Sequence, residues 1–277
     1  TMGVKSPNRV NFYIDHFFSN LATFQDHETR DVQMEQCLTR QLGGLLAERP
    51  DFGDILRETK FVPNSKGELF APSSLYDPSV VTLHDLLDDT CFPFGRLAEE
   101  ACLVSLRQLG LRREMTPEGL LSSVQSIVRE AALGDQEGAR KRAVSLTKSL
   151  RSMVHDEEKI GEIEMNALRT ILERMKFMEW MPIRSMPPKN LPLPWRDMVT
   201  TTSGGKIKAQ GRLARPVDCR PSGDMWMCSA SLFIVDEEVP SELATTCPIV
   251  SSCFGWSDPL SMDILARQLR DIAVEHT

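Results

Sequence analysis

Cysteine and histidine side chains are the groups in this sequence most suited to act as nucleophiles, bases or metal ligands. The five histidines are His16, His27, His84, His155 and His276, and none belongs to a recognisable nucleophile or metal signature. His84 and Cys91 are retained as one enzymatic alternative, an unrecognised Cys/His site of a hydrolase or transferase. The pattern favours a simpler interpretation, in which His84 is a surface or half-buried residue of a short helix.

The seven cysteines are spread thinly along the chain: Cys37, Cys91, Cys102, Cys219, Cys228, Cys247 and Cys253. No Cys-x-x-Cys or His-x-x-x-His pair occurs among these residues, so the spacing predicts no zinc site. Residues 1–7 contain no apolar segment typical of a signal peptide, which favours reduced thiols in a cytoplasmic protein. Thr1 precedes Met2, which is typical of a foreign leading residue, and we expect the chain to be a piece of a longer protein.

Nucleotide-binding motifs are missing from the sequence. It contains neither a Gly-x-x-x-x-Gly-Lys-Ser/Thr loop nor a Gly-x-Gly-x-x-Gly turn after a strand. We therefore predict no cofactor, no metal and no catalytic residue.

Composition excludes several further classes of protein. The 277 residues are 41% hydrophobic and 26% charged, which is globular rather than disordered composition. A net charge of −7 gives little attraction to nucleic acid or anionic lipid. No stretch approaches the roughly 18 apolar residues that a membrane span needs. We therefore expect neither a nucleic-acid partner nor a membrane partner.

Apolar residues at helical spacing dominate the chain and predict several helices. They cover residues 10–48 with a break near 25–28, and then 82–88, 96–109, 117–133, 135–154, 157–178 and 257–275. Ala101, Val104 and Leu269 are expected to face the core. Residues 224–228, 232–235 and 248–250 are predicted as short strands.

Capping residues mark several helix ends. Thr116 followed by Pro117 is a favourable N-terminus, because threonine caps the first turn and proline suits the first helical position. Gly110 and Gly134 are placed where a left-handed residue would end a helix.

A short hairpin is predicted over residues 60–72. Lys60–Pro63 and Glu68–Pro72 are strand-like, and the intervening Asn64–Gly67 has the composition of a turn. Gly67 is the residue able to adopt a positive φ there.

These patterns predict an α+β fold that is predominantly α-helical, with a small β-hairpin near 60–72 and a mixed C-terminal part. Three segments are expected: a module with the hairpin at 10–112, a helical bundle segment at 113–179, and a proline-rich linker with a small α+β part at 180–277.

Two surface features could serve recognition. The basic run Arg140–Arg142, with Lys148 and Arg151 behind it, is interpreted as a solvated helix face or, less often, a partner-docking site. The methionines at 175, 178, 181 and 186 are adaptable apolar surface if exposed, and otherwise core.

Residues 60–78 carry a resemblance to a known family. They match a phrase of the form F-[IV]-P-x-x-x-G-x-L-x-x-P-S-x-L-[YF]-D-P, which is similar to one that recurs in the large internal repeats of the sacsin family. The matching positions are Phe61, Pro63, Gly67, Leu69, Pro72, Leu75, Tyr76, Asp77 and Pro78. Their residue types are those of turn formers, a loop cap and apolar anchors.

The resemblance implies a function for the chain. Sacsin-type proteins are large cytosolic proteins linked to chaperone function, in which each repeat begins with an ATPase-like domain. This chain resembles a piece that follows such a domain, so no catalytic residue transfers to it. The expectation is a non-catalytic scaffold of a chaperone or co-chaperone, which couples the ATPase-like domain to client proteins or chaperone partners.

Overall fold

The computed structural model describes residues 9–23, 26–155, 161–187, 193–195, 199–200, 206–207 and 213–275. These residues are predominantly helical with a few two-stranded sheets, so the predicted α+β class is confirmed. The chain divides into two compact units, Thr1–Glu114 and Met115–Thr277. The predicted module at 10–112 lies in the first unit, and both later segments lie in the second apart from residues 113–114.

Helices build most of the first unit. Its described α-helices are α1 (Arg9–Phe12), α2 (His27–Gln36), α3 (Leu42–Glu48), α4 (Phe52–Glu58), α5 (Val81–Leu86) and α6 (Glu100–Gln108). Short π-helical turns follow α1 and α2, so residues 9–23 and 27–48 are helical and Asp26, just before α2, is not, as predicted. The carboxylate of Asp26 begins α2 by accepting a hydrogen bond from the Glu28 N–H at 3.0 Å.

The predicted hairpin is present. β1 (Val62–Pro63) pairs antiparallel with β2 (Leu69–Phe70), and Val62 lies opposite Phe70. Gly67 in the connecting turn has a φ of +77°, which places it in the left-handed region as the sequence predicted. Phe61, just before β1, is fully buried in the core of this unit and contacts the ring of Phe18.

The expected inward face of α6 is wrong at two residues. Ala101 and Val104 are exposed, and the neighbouring Cys102 and Leu103 are buried instead. The cause is an extended backbone at Glu99, which separates α6 from the 3-10 turn that contains Leu97. A helical period counted from Leu97 therefore does not continue into α6.

Three long helices begin the second unit. They are α7 (Pro117–Ala132), α8 (Gln136–His155) and α9 (Glu162–Met175). The Thr116 hydroxyl accepts a hydrogen bond from the Gly119 N–H at 3.2 Å, so the predicted cap of α7 is confirmed. Gly110 and Gly134 both have positive φ after their helices, also as predicted. The predicted start of the third helix at Glu157 lies outside the described residues.

The remainder of the second unit contains short elements and one longer helix. The helices are α10 (Met225–Cys228), α11 (Glu242–Thr245), α12 (Pro248–Cys253) and α13 (Met262–Glu275). The strands are β3 (Met181–Pro182), β4 (Val199–Thr200), β5 (Lys206–Ile207), β6 (Leu213–Ala214), β7 (Cys219–Arg220) and β8 (Phe233–Ile234). β3 pairs antiparallel with β6, β4 antiparallel with β5, and β7 parallel with β8. Residues 188–192 of the predicted proline-rich linker lie outside the described residues.

Two predicted strands are helices instead. Residues 225–228 form α10, and residues 248–250 begin α12. Pro248 occupies the first turn of α12, where its missing N–H is not needed and its fixed φ suits a helix. A short apolar run fits a strand and a buried helical turn equally well, which is why periodicity misassigned both segments.

We expect two glycine substitutions to have opposite effects on stability. Gly67→Ala should lower the free energy of unfolding by about 1 kcal/mol, because an L-residue is strained at positive φ. Gly43→Ala should raise it by about 0.5–1 kcal/mol, because Gly43 lies within α3. An added Cβ meets nothing within 4 Å at either position, so only the backbone conformation differs. Urea unfolding at neutral pH measures both changes, and changes of equal sign would contradict this account.

Candidate functional site

The residues of the 60–78 phrase form a junction in the core of the first unit. Phe61, Pro63, Pro72, Leu75 and Tyr76 are all buried. The two prolines have separate positions, since Pro63 ends β1 and Pro72 begins a 3-10 turn. These five side chains and backbones therefore pack the hairpin and the following loop against the helices.

Asn64 closes the hairpin turn, and the sequence pattern did not single it out. Its side chain is buried, and its Oδ1 accepts hydrogen bonds from the N–H groups of Lys66 at 2.9 Å and Glu68 at 3.1 Å. Its Nδ2 donates to the Thr90 carbonyl at 3.3 Å. One amide thus joins the turn to a loop 26 residues later in the chain. A turn asparagine followed by Gly67 is the signal that could have identified it.

Backbone hydrogen bonds attach the end of the phrase to two other segments. The Tyr76 N–H donates to the Cys91 carbonyl at 2.9 Å, and the Asp77 N–H donates to the Arg112 carbonyl at 2.8 Å. The Arg112 N–H returns a bond to the Leu75 carbonyl at 3.0 Å, which makes a parallel bridge. The Arg112 guanidinium also lies 5.6 Å from the centre of the Tyr76 ring.

Asp77 is the only fully buried carboxylate among the described residues. The Nε of Arg107 donates to Oδ2 at 2.6 Å, and the Ser79 N–H and hydroxyl donate to Oδ1 at 3.0 and 2.7 Å. The Nε of Arg113 lies 3.6 Å from Oδ2. Burial alone would raise the pKa of Asp77, but the hydrogen bonds from Arg107 and Ser79 outweigh it and lower the pKa below its ordinary value.

The hydrogen bonds around Asp77 stabilise its carboxylate as an anion and do not suit it to act as a general base. A general base needs a lone pair directed at substrate and a pKa near the working pH. Both Asp77 oxygens already accept hydrogen bonds, and the pKa of Asp77 is lowered. Arg107 extends the network outward by donating to Glu100 at 2.5 Å. The geometry therefore gives Asp77 the role of joining the loop to α6.

The His84 and Cys91 pair of the enzymatic alternative lies beside this junction. The His84 ring stacks on Phe92, with 5.3 Å between the ring centres. Cys91 is half-buried, and its carbonyl accepts the hydrogen bond from Tyr76. Both residues thus take part in packing or backbone hydrogen bonding.

Most other cysteines are buried as neutral thiols. The seven cysteines, all within the described residues, form no disulfide. Burial raises the pKa of Cys102 to about 11 and that of Cys228 to about 12, and it also raises the pKa of Cys219. A thiol with a raised pKa is a poor nucleophile, so these three residues act as small core side chains.

The basic run on α8 forms ion pairs within the second unit. Arg140 contacts Asp236 at 2.9 Å and Glu238 at 2.6 Å, and these hydrogen bonds raise its pKa. Arg142 contacts Glu130 at 2.7 Å. Neutralisation by these acidic residues leaves little positive charge from Arg140 and Arg142 for a partner.

A buried hydrogen-bond network inside the second unit was not predicted either. Gln268 is buried on α13; its Oε1 accepts from the Ala230 N–H at 2.8 Å, and its Nε2 donates to the Ser229 hydroxyl at 3.0 Å. That hydroxyl donates to the Pro194 carbonyl at 2.6 Å. Gln268 therefore faces inward, and the predicted core residue Leu269 is exposed.

Apolar side chains on the surface are the second candidate site. Of the methionines predicted as core or adaptable surface, Met175 and Met181 are buried and Met186 is exposed. The sequence pattern missed Trp226 and Met227 on α10, whose side chains are 52% and 44% exposed. Tryptophan is enriched in the energetically dominant positions of protein interfaces, and methionine adapts to different partners.

No family model matches the chain, and no curated protein or solved structure matches it either. In the described part of the chain, no helix combines the length and apolarity needed to cross a membrane. Among the same residues, no group of three or more His, Cys, Asp or Glu side chains is arranged to hold a metal ion.

We expect Asp77→Asn to lower the free energy of unfolding at pH 7 by roughly 2 kcal/mol, because the ion pair with Arg107 is lost. A carboxylate with a lowered pKa in the folded state stabilises the fold above its unfolded pKa. That contribution is lost as pH falls through the folded pKa, so the window lies below about pH 4. The difference in unfolding free energy between wild type and variant should therefore be constant above about pH 5 and shrink below about pH 4, down to the lowest pH at which both still fold.

Urea unfolding at several pH values measures this difference. Asp85→Asn on the exposed face of α5 is the matched control, and it should leave stability almost unchanged at every pH. If the difference in unfolding free energy between wild type and Asp77→Asn stays constant with pH, the stabilisation does not come from the ionised carboxylate of Asp77.

Proposed function

We propose that this chain is a non-catalytic scaffold and interaction segment of a sacsin-type chaperone or co-chaperone. In this role it couples an ATPase-like domain to the binding of client or partner proteins. The link to an ATPase-like domain and the cytoplasmic location rest on the resemblance of residues 60–78 to the sacsin repeats.

The roles of the phrase residues support a scaffold. Asp77 and its neighbours Leu75 and Tyr76 are committed to hydrogen bonds and packing that join the loop to α6 and to the segment at Arg112. Side chains used in this way hold a domain rigid. A rigid junction suits a segment that transmits a movement between neighbouring domains.

The observation that carries the interaction role is the exposure of Trp226. The chain has only four tryptophans, and Trp180 and Trp256 are buried in an aromatic cluster with Phe254. Trp226 instead presents more than half of its surface to solvent beside Met227. Unfolded clients expose apolar segments, and an aromatic side chain next to a flexible thioether suits their varied surfaces.

We expect the chain to bind a permanently unfolded protein through Trp226. The probe is reduced and carboxymethylated ribonuclease A, which contains no tryptophan, so all tryptophan emission comes from this chain. Titration should shift the emission to shorter wavelength with saturation, because Trp226 becomes desolvated. Trp226→Ala should remove the shift and weaken binding by roughly tenfold or more.

Phe177→Ala is the control for this titration. Phe177 is a similarly exposed aromatic residue at 59%, and it lies outside α10. Its removal should leave the titration unchanged. Equal losses in both variants, or no binding by the wild type, would overturn the interaction role.

We also expect isothermal titration with ATP and Mg²⁺ to give no binding heat at nucleotide concentrations up to about 1 mM. The reason is that the proposed role places the nucleotide site on a neighbouring domain. ADP serves as a second ligand in the same experiment. Micromolar binding of either nucleotide would overturn the non-catalytic role.

A further inference from the structure

Helix α13 has two apolar faces, and only one of them is used inside the second unit. The inner face places Ile264, Leu265 and Ile272 in half-buried positions around the buried Gln268. Gln268 fixes this orientation through its hydrogen bonds to Ala230 and Ser229. The helix therefore cannot rotate to bury its other face without breaking a buried polar network.

The outer face carries an apolar stripe at alternating spacings of four and three residues. Met262 and Leu269 are 78% and 69% exposed, and Ala266 between them is also exposed. Ala273 continues the same spacing. This alternation is the a and d pattern by which two helices pack side by side. The stripe runs for about 16 Å along the helix.

Two charged residues flank the stripe on one side. Asp263 follows Met262 and Arg270 follows Leu269, so each occupies the position next to a d residue. Both are exposed, and neither takes part in an ion pair among the described residues. Arg267 and Asp271 lie away from the stripe and contact each other at 3.9 Å.

The order of these charges fits a second copy of the same helix running in the opposite direction. When two such helices pack antiparallel with Ala266 opposite Leu269, equivalent flanking positions face each other across the seam. Asp263 of each copy then lies opposite Arg270 of the other, which gives two ion pairs of opposite charge. A parallel, in-register pair would instead place Arg270 opposite Leu265, which faces its own unit, and Asp263 opposite position 258, which lies outside the helix.

We infer that α13 is a self-association surface on which two copies of this chain pack antiparallel. The stripe is short, so the interface belongs to the small, transient class, with a dissociation constant of roughly 10–100 µM. The inference rests on α13 alone and is independent of the proposed chaperone role.

Charge reversal with complementation tests the inference. Wild type should show a sedimentation coefficient that rises with protein concentration from about 1 to 300 µM. Asp263→Arg places like charges opposite each other twice, and so does Arg270→Asp. Each variant alone should dimerise about tenfold more weakly than wild type. An equimolar mixture of the two should regain association, because every facing pair in the heterodimer has opposite charges again.

Two further variants complete the test. Leu269→Asp should abolish association without lowering the melting temperature, because Leu269 is exposed. Arg267→Asp changes the net charge as much as Arg270→Asp but lies outside the seam, so it should associate like wild type. A wild type that stays monomeric at 300 µM, or a mixture that does not associate, would overturn the inference. The stripe would then be covered by a further segment of a longer chain or by a different protein.

Discussion

The buried carboxylate of Asp77 constrains the arrangement of the first unit around the 60–78 phrase. A charge without access to water is tolerated only when donors surround it, so Arg107 and Ser79 must stay within hydrogen-bonding distance. Arg107 belongs to α6, and the backbone of Asp77 is itself bonded to Arg112 after that helix. These hydrogen bonds therefore fix the positions of the loop, α6 and the following turn relative to one another. The hairpin depends on this position in turn, because Asn64 bonds to the loop that leads to Cys91.

Features set by neighbouring residues could be predicted from the sequence. The left-handed Gly67, the Thr116 cap and the hairpin itself depend on residues within a few positions, and all are present as predicted. The partners of Asp77 and Asn64 could not be predicted in this way. Arg107 is 30 residues from Asp77, and the Thr90 carbonyl is 26 residues from Asn64. Only the tertiary fold brings these groups together. The same dependence explains α10 and α12, where surroundings decide between strand and helix for a short apolar run.

Helix α13 shows a different limit of periodicity. Apolar residues at helical spacing indicated an amphipathic helix correctly, but the helix carries two apolar stripes, one through Leu265 and Ile272 and one through Met262 and Leu269. A count of apolar positions cannot predict which stripe is buried. Gln268 determines this, because its amide must face inward to form its hydrogen bonds with Ala230 and Ser229. A polar residue thus determines which apolar face is left outside. That outcome runs against the usual assumption that hydrophobicity alone orients a helix.

Apolar and charged residues also have separate roles in association through the outer face of α13. Exposed ion pairs contribute little free energy, and a chain of net charge −7 repels a second copy of itself, so charge cannot supply the affinity. Affinity must come from burial of Met262 and Leu269, which is non-directional. Asp263 and Arg270 exclude the alignments that would bring like charges together. Apolar side chains therefore determine how tightly two copies bind, and the flanking charges determine that they bind antiparallel.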